Sequence, residues 1–169
     1  MMLLLFVIGK DSYGLDVTQV VEVIPYVTLK EIPRAPDYVA GLLNYRGRSV
    51  PVVDLTVLMT GNISRAWLSS RIILVNIQDD RKNPHLLALL AERIASTIKL
   101  PESAFSPSGV DTSDTGFLGD VAVYQGNIIQ LIDIEKLLPV QLHRTFFTSV
   151  DETDSAENHS DGCLNDSGD

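Results

Sequence analysis

The chain has 169 residues, 45% of them hydrophobic, and a formal net charge of −9, which fits one ordinary domain or two small halves sharing a core and leaves no room for a second large domain. Seven of the 22 acidic residues (Asp151, Glu152, Asp154, Glu157, Asp161, Asp166, Asp169) lie after Ser149 in a stretch without Lys or Arg, so the other 15 face 13 bases. That near-balance excludes the concentrated basic face of a nucleic-acid binder, and the single cysteine, Cys163, excludes a disulfide framework or a cysteine metal cluster.

Residues 1–8 are apolar but stop at Gly9-Lys10-Asp11, with no basic flank or small-residue cleavage site, which is too short for a signal peptide or a membrane span. A cytosolic address is the default, and 3–8 reads as a strand covered on both faces. Residues 13–17 alternate and pair back on it as a hairpin. Residues 20–24 are rich in β-branched side chains around a single carboxylate, Glu22, and Pro25 ends them.

Ile32-Pro33-Arg34-Ala35-Pro36 favours an extended path, since proline disfavours helical geometry in its predecessor. Residues 37–40 are expected to make one helical turn before Gly41, and Asn44-Tyr45-Arg46-Gly47 a polar turn. Residues 50–53 are strand-like, but Pro51 predicts an edge strand or one whose first residues are unpaired. Asp54 with Leu58-Met59 predicts an N-capped short helix ended at Gly61. Residues 62–70 read as a loop or short helix carrying Trp67, 71–77 as a buried strand, 79–84 as a charged hairpin loop and 86–90 as the returning strand.

Residues 92–100 run near period two until Pro101. Residues 102–115, rich in Ser, Pro, Gly and Asp, predict a long mobile loop. Residues 116–124 and 128–132 form the last strand pair, and 133–138 a capped short helix stopped by Pro139. Beyond Ser149 there is almost nothing to bury, so 148–169 is expected to be an acidic disordered tail after a domain spanning 1–147.

The two halves repeat. Tyr45-x-Gly47 and Tyr124-x-Gly126 each precede an apolar strand ended by aspartate, with seven residues from glycine to aspartate in both, followed by Leu58-Met59 and Leu137-Leu138; Gly41 and Gly119 lie upstream. Residues 4–8 with 13–24 resemble 73–77 with 86–98. Two copies are too few for a solenoid, so the inference is a duplicated small β-unit whose halves share a hydrophobic seam and leave a groove between them. Asp54 and Asp133 might suggest an acid/base pair, but both occupy the same point of the repeat, where aspartate caps a helix. Neither has a nucleophile nearby, and His85 and His143 lack metal-ligand context, so no catalytic, cofactor or metal residue is expected.

The series Ile32-Pro33, Ala35-Pro36, Gly41, Asn44-x-Arg46-Gly47 and Pro51-Val52-Val53-Asp54-Leu55 resembles the CheW-like adaptors of bacterial chemosensory systems, from about residue 4 to residue 138. The resemblance implies a mainly all-β fold of two SH3-like five-stranded β-barrels on one core, with a few short helices and strands exchanged between the barrels. It implies a non-enzymatic adaptor that joins the cytoplasmic tips of methyl-accepting chemoreceptors to the regulatory domain of a CheA-type histidine kinase. Such a protein is cytoplasmic, peripheral to inner-membrane receptor arrays, without nucleic acid or membrane insertion. Three departures stand out: Tyr45 where leucine is usual, an exposed phenol that would alter which partner is accepted; Glu92 in place of an aspartate; and the acidic tail. They point to a divergent adaptor of the surface-sensing Wsp type. The expected partner-binding residues are Val20, Glu22, Leu43, Asn44, Tyr45, Arg46 and Gly47, with Arg46 paired to Glu22 in a buried-edge salt bridge. The readings from other classes are a small β-barrel enzyme using Asp54 or Asp133, and a kinase-regulating module that works without a receptor.

Overall fold

The computed structural model describes residues 1–62, 68–78, 82–109 and 116–137. The expectations for Trp67, for His143 and for the acidic tail therefore lie outside the described residues. Eleven strands are present among those described: β1 (Met2–Ile8), β2 (Asp11–Asp16), β3 (Val20–Pro25), β4 (Val39–Tyr45), β5 (Arg48–Asp54), β6 (Arg71–Gln78), β7 (Pro84–Ala91), β8 (Arg93–Lys99), β9 (Phe105–Ser106), β10 (Leu118–Tyr124) and β11 (Asn127–Ile132). One α-helix, α1 (Leu55–Thr60), follows β5.

The strands form a six-stranded sheet, β8-β1-β2-β11-β10-β9, and a five-stranded sheet, β3-β6-β7-β5-β4. Each builds one small SH3-like barrel, the two-residue β9 being an addition to the five strands expected. Strands from both halves of the chain meet in each sheet. β1 and β2 join β8, β10 and β11, while β6 and β7 join β3, β4 and β5. The joints are alike: each sheet is antiparallel except for one parallel contact, β2 with β11 in the first and β7 with β5 in the second.

The reason for the exchange lies in the pattern of burial. A strand sends alternate side chains to opposite faces. On β1, Leu3 and Leu5 fill the interior of the first barrel with Ile98 and Ile129, whereas Leu4, Phe6 and Ile8 enter the largest cluster, between the barrels. β6 does the same, with Ile72 and Leu74 inside the second barrel and Ile73, Val75 and Ile77 in the shared cluster. Each fully buried aliphatic side chain contributes about 1.5–3 kcal/mol, so neither barrel keeps its stability without the other.

Four local expectations are corrected. Residues 37–40 do not make a helical turn before Gly41, because β4 already begins at Val39. Of the two readings of Pro51, the edge strand fails, while a strand whose first residues are unpaired holds on one side only. β5 lies between β4 and β7, and Pro51 faces Leu42 at a point β7 does not reach, since the parallel register starts at Val52. The returning strand begins at Pro84 rather than at Leu86, so His85 lies on β7 opposite Ile77. The stretch expected as one mobile loop after Pro101 contains a 3-10 turn, Glu102–Ala104, and β9, which pairs with β10.

Gly41 and Gly119 differ in place and in mechanics: Gly41 stands four residues before Tyr45 and Gly119 five before Tyr124, so the hairpin registers match Gly119 with Ala40. Gly41 has φ +145° and sits where Lys30 bridges to Leu42, so a Cβ there would lie 2.5 Å from the Lys30 carbonyl oxygen. At Gly119 the nearest atom is Leu131 Cβ at an ordinary 3.4 Å. Gly41→Ala should therefore destabilise the protein by about 2–3 kcal/mol in denaturant unfolding, combining strained φ with a backbone collision. Gly119→Ala should change it by less than about 1 kcal/mol, and equal losses would contradict the distinction.

Candidate functional site

The β4–β5 hairpin closes through a two-residue loop. Arg46 has φ 50° and Gly47 φ 80°, and Tyr45 pairs with Arg48, the arrangement of a type I′ turn whose twist matches the flanking strands. The turn is thus one residue later than expected, and Asn44 belongs to β4. Asn44 Oδ1 accepts from the Gly47 N–H at 3.0 Å, so it braces the turn from the strand. The β10–β11 hairpin reproduces this backbone, with Gln125 at φ 50° and Gly126 at φ 78° between the paired Tyr124 and Asn127.

The side chains on the first turn converge on Glu22. Tyr45 Oη donates to Glu22 Oε2 at 2.5 Å, Arg46 Nη2 donates to the same oxygen at 3.2 Å, and the guanidinium carbon stands 5.1 Å from the centre of the Tyr45 ring. The expected Arg46–Glu22 pair is present, but it is an open surface pair, with side chains 75% and 38% exposed, rather than a buried-edge one. Such a pair contributes about 0.2–1 kcal/mol. It orients groups more than it stabilises the fold. Tyr45 is not the exposed phenol expected: its ring is half-buried against the second-barrel cluster. The Glu22 carboxylate that accepts its hydroxyl holds the phenol above its ordinary value of 10.0, partial burial adds to this, and the Arg46 charge opposes it.

Two further residues play different parts from those expected. Leu43 is 3% exposed and sits in the second-barrel cluster with Val50 and Val52, so it serves this face by packing and offers no contact surface. Val20 is half-buried against the shared cluster. Its neighbours do face outward: the unbroken alternation along β3, an edge strand of its sheet, leaves Val21 43% exposed and Val23 38% exposed. An open edge strand with apolar side chains is a template for another chain. The β-branched run around Glu22 was the signal for this strip, whereas nothing in the run told which valines face out. Sequence reasoning also missed Arg48, exposed on the same groove as Tyr45 and Arg46.

Asp54 and Asp133 are both spent on capping. Asp54 Oδ1 accepts from the Thr56 and Val57 N–H groups at 2.9 and 3.2 Å. Asp133 Oδ1 accepts from Glu135 N–H at 3.1 Å, and its other oxygen pairs with Lys136. No group of three or more His, Cys, Asp or Glu side chains able to hold a metal is found among the described residues. Likewise, no helix among them is long and apolar enough to cross a membrane.

A family model for the CheW-like domain matches residues 2–141. The chain belongs to the CheW-like domain family. It is 26% identical over 137 residues to a chemotaxis protein CheW of Klebsiella aerogenes, covering 80% of each sequence, and 29% identical over 143 residues to one of Treponema pallidum, again covering 80% of each. The crystal structure of the scaffolding protein CheW of Thermoanaerobacter tengcongensis superposes with a TM-score of 0.70 at 30% identity, covering 80% of this chain and 90% of that one. Members of this CheW family are scaffold and adaptor proteins. The present chain is a chemosensory adaptor, of the class that couples receptors to a CheA-type kinase.

The Tyr45–Glu22 bond has a titration consequence. A phenol whose folded pKa is raised supports the fold below its unfolded value and withdraws that support as pH rises through the folded one. Followed by phenolate absorbance, Tyr45 should ionise later than a free tyrosine, and Glu22→Ala should bring its midpoint down toward 10. Because burial also raises Tyr13 and Tyr38, the Tyr45→Phe difference curve isolates the site; an unmoved midpoint in Glu22→Ala would remove Glu22 as the cause.

Proposed function

We propose that the chain is a non-enzymatic coupler whose two barrels carry separate docking faces, one for the regulatory domain of a CheA-type histidine kinase and one for the cytoplasmic tip of a methyl-accepting chemoreceptor. One of those faces is the strip of β3 and the β4–β5 turn, where Glu22, Tyr45 and Arg46 present charge beside the exposed Val21 and Val23, and where Val20, Leu43, Asn44 and Gly47 hold them in place. The protein then works in the cytoplasm, at receptor arrays on the inner membrane, with no cofactor or metal. In this reading residues 1–147 are the adaptor domain and 148–169 an appended tail.

The observation that carries the reading is a comparison of the two copies of one backbone. The register places Ser96 opposite Leu5 as it places Glu22 opposite Leu74, with a register shift beside each. Gln125 holds the left-handed position of Arg46. The second copy therefore keeps the scaffold and lacks both members of the ion pair. Polar groups that the fold does not require, next to an open apolar edge, fit recognition.

A charge exchange tests this. Arg46→Glu should abolish capture of a receptor–kinase ternary complex, with a stability loss within about 1 kcal/mol. The double variant Glu22→Arg with Arg46→Glu restores an ion pair of inverted polarity. It should recover the stability and remain unable to couple, since a partner reads the surface. Recovery of coupling by the double variant would make the pair a structural brace only. Capture of the kinase without any receptor requirement would favour a module acting on the kinase alone.

A further inference from the structure

We propose that the acidic segment 151–169 docks in cis in the groove beside Arg46 and Arg48 and competes with the adaptor's partner for that face, an inference that rests on the functional reading above. The groove, of about 520 Å³, opens between β3, the β4–β5 turn and the start of β7, and its walls include Val21, Tyr45, Arg46, Arg48, His85 and Leu86. No carboxylate lines it among the described residues. Glu22 lies at its edge, with the same oxygen taking both the Tyr45 hydroxyl and the Arg46 guanidinium. Arg48 is exposed and makes no ion pair among the described residues.

Charge favours this groove over a second one. That second groove, of about 210 Å³, is lined by Asp16, Asp120 and Asp133 together with Met1 and Leu131, and it repels a segment of seven carboxylates with no Lys or Arg. Elsewhere the chain is close to neutral, so the two guanidiniums are not part of a generally basic surface. The attraction is local and acts over about one Debye length, roughly 8–10 Å at physiological salt.

Length permits the contact. The described chain ends at Leu137, and the first carboxylate of the segment is Asp151. Fourteen steps span at most about 46–50 Å and, if flexible, have a root-mean-square reach of about 20 Å. A body of this size has a radius of gyration of about 14 Å, so every face is within range. A tether of this kind gives an effective concentration on the order of millimolar. A contact too weak to matter between separate molecules is then substantially occupied, while a partner of micromolar affinity still displaces it.

The test compares the full chain with a chain ending at residue 150 by amide chemical shifts, at about 0.02 M and about 0.3 M salt, where the Debye length falls from about 20 Å to about 6 Å. The expected result is a set of differences at Tyr45, Arg46, Arg48, Asn76 and His85 at low salt that vanish at high salt and in Arg48→Glu. Truncation should also tighten binding of the partner that takes this face, kinase domain or receptor tip, several-fold at low salt, with the two chains converging at high salt. Spectra that superimpose at low salt, or differences clustered on another face, overturn the docking. Differences that grow with protein concentration overturn the cis arrangement in favour of docking on a second copy. Shift differences at the groove without any gain in affinity for either the kinase or the receptor tip overturn the competition. The shift experiment contains no partner, so the wrongness of the partner face would appear separately, as unimpaired capture by Arg46→Glu.

Discussion

The apolarity of β1 and β6 on both faces is the constraint on which the rest of the molecule depends. A strand that is greasy on one side can sit at the surface of a single barrel; one that is greasy on both must lie between two bodies. β1 and β6 occupy equivalent places in the two sheets, and their second faces, Leu4, Phe6, Ile8, Ile73, Val75 and Ile77, meet in one cluster. A duplicated chain satisfies both strands at once by trading its hairpins, so that β1 and β2 complete the sheet of the second half and β6 and β7 that of the first. Two carboxylates then tie the seam at corresponding points. Glu92 accepts from the Gly9 N–H and from Thr56 at the start of α1, and Glu135 accepts from the Gln78 N–H. The substitution of Glu for Asp at position 92 thus has a physical sense: it bridges the β1–β2 turn and the helix of the other barrel.

A rigid seam frees the hairpin turns from stabilising duty. Both turns carry a non-glycine residue in the left-handed region, Arg46 and Gln125, a conformation that costs about 1 kcal/mol or more for such residues. Asparagine or glycine would suit the position better. Arg46 gains in return only an exposed ion pair, whose worth is of the same order or less. A residue placed against local preference for so small a structural return is doing something other than holding the fold, and its contact with Glu22 across 24 positions of sequence fixes where the guanidinium and the phenol stand.

Much of the scaffold was legible because it rests on periodicity and punctuation. The buried run at 3–8, the capped helix between Asp54 and Gly61, and the equal spacing of Gly47–Asp54 and Gly126–Asp133 are local signals, and each became the element expected. The pairing of strands was less legible. Pro51 suggested an edge because proline lacks a donor, yet β5 is interior: its parallel neighbour starts one residue later, so the missing N–H costs no ladder bond on that side. The site was half legible. The Arg46–Glu22 pairing could be inferred from the family resemblance, but exposure could not, because a short run of valines does not tell which phase of the strand alternation faces the core. For the same reason Leu43, one residue from a polar turn, was offered as a contact and proved to be core.

The repeat also sharpens what differs between the barrels. Register equates Asn44 and Ser49 of the first hairpin with Val123 and Ile128 of the second, and these last are directly opposite one another at 69% and 65% exposure. One backbone thus carries a charged, hydrogen-bonding tip on the second barrel, at the β4–β5 turn, and an apolar tip on the first, at the β10–β11 turn. Had the two barrels served one kind of partner, there would be no physical reason for the substitutions to separate in this way, since the shared core is indifferent to residues at the tips. A symmetric scaffold with chemically opposite tips can hold two unlike proteins in a fixed relation, because each surface disfavours the other's ligand: a charged group loses hydration without a partner on the apolar tip, and an apolar patch gains little on the charged one. Coupling in this molecule therefore rests on the divergence of two copies from one another, on a core that has kept them in register.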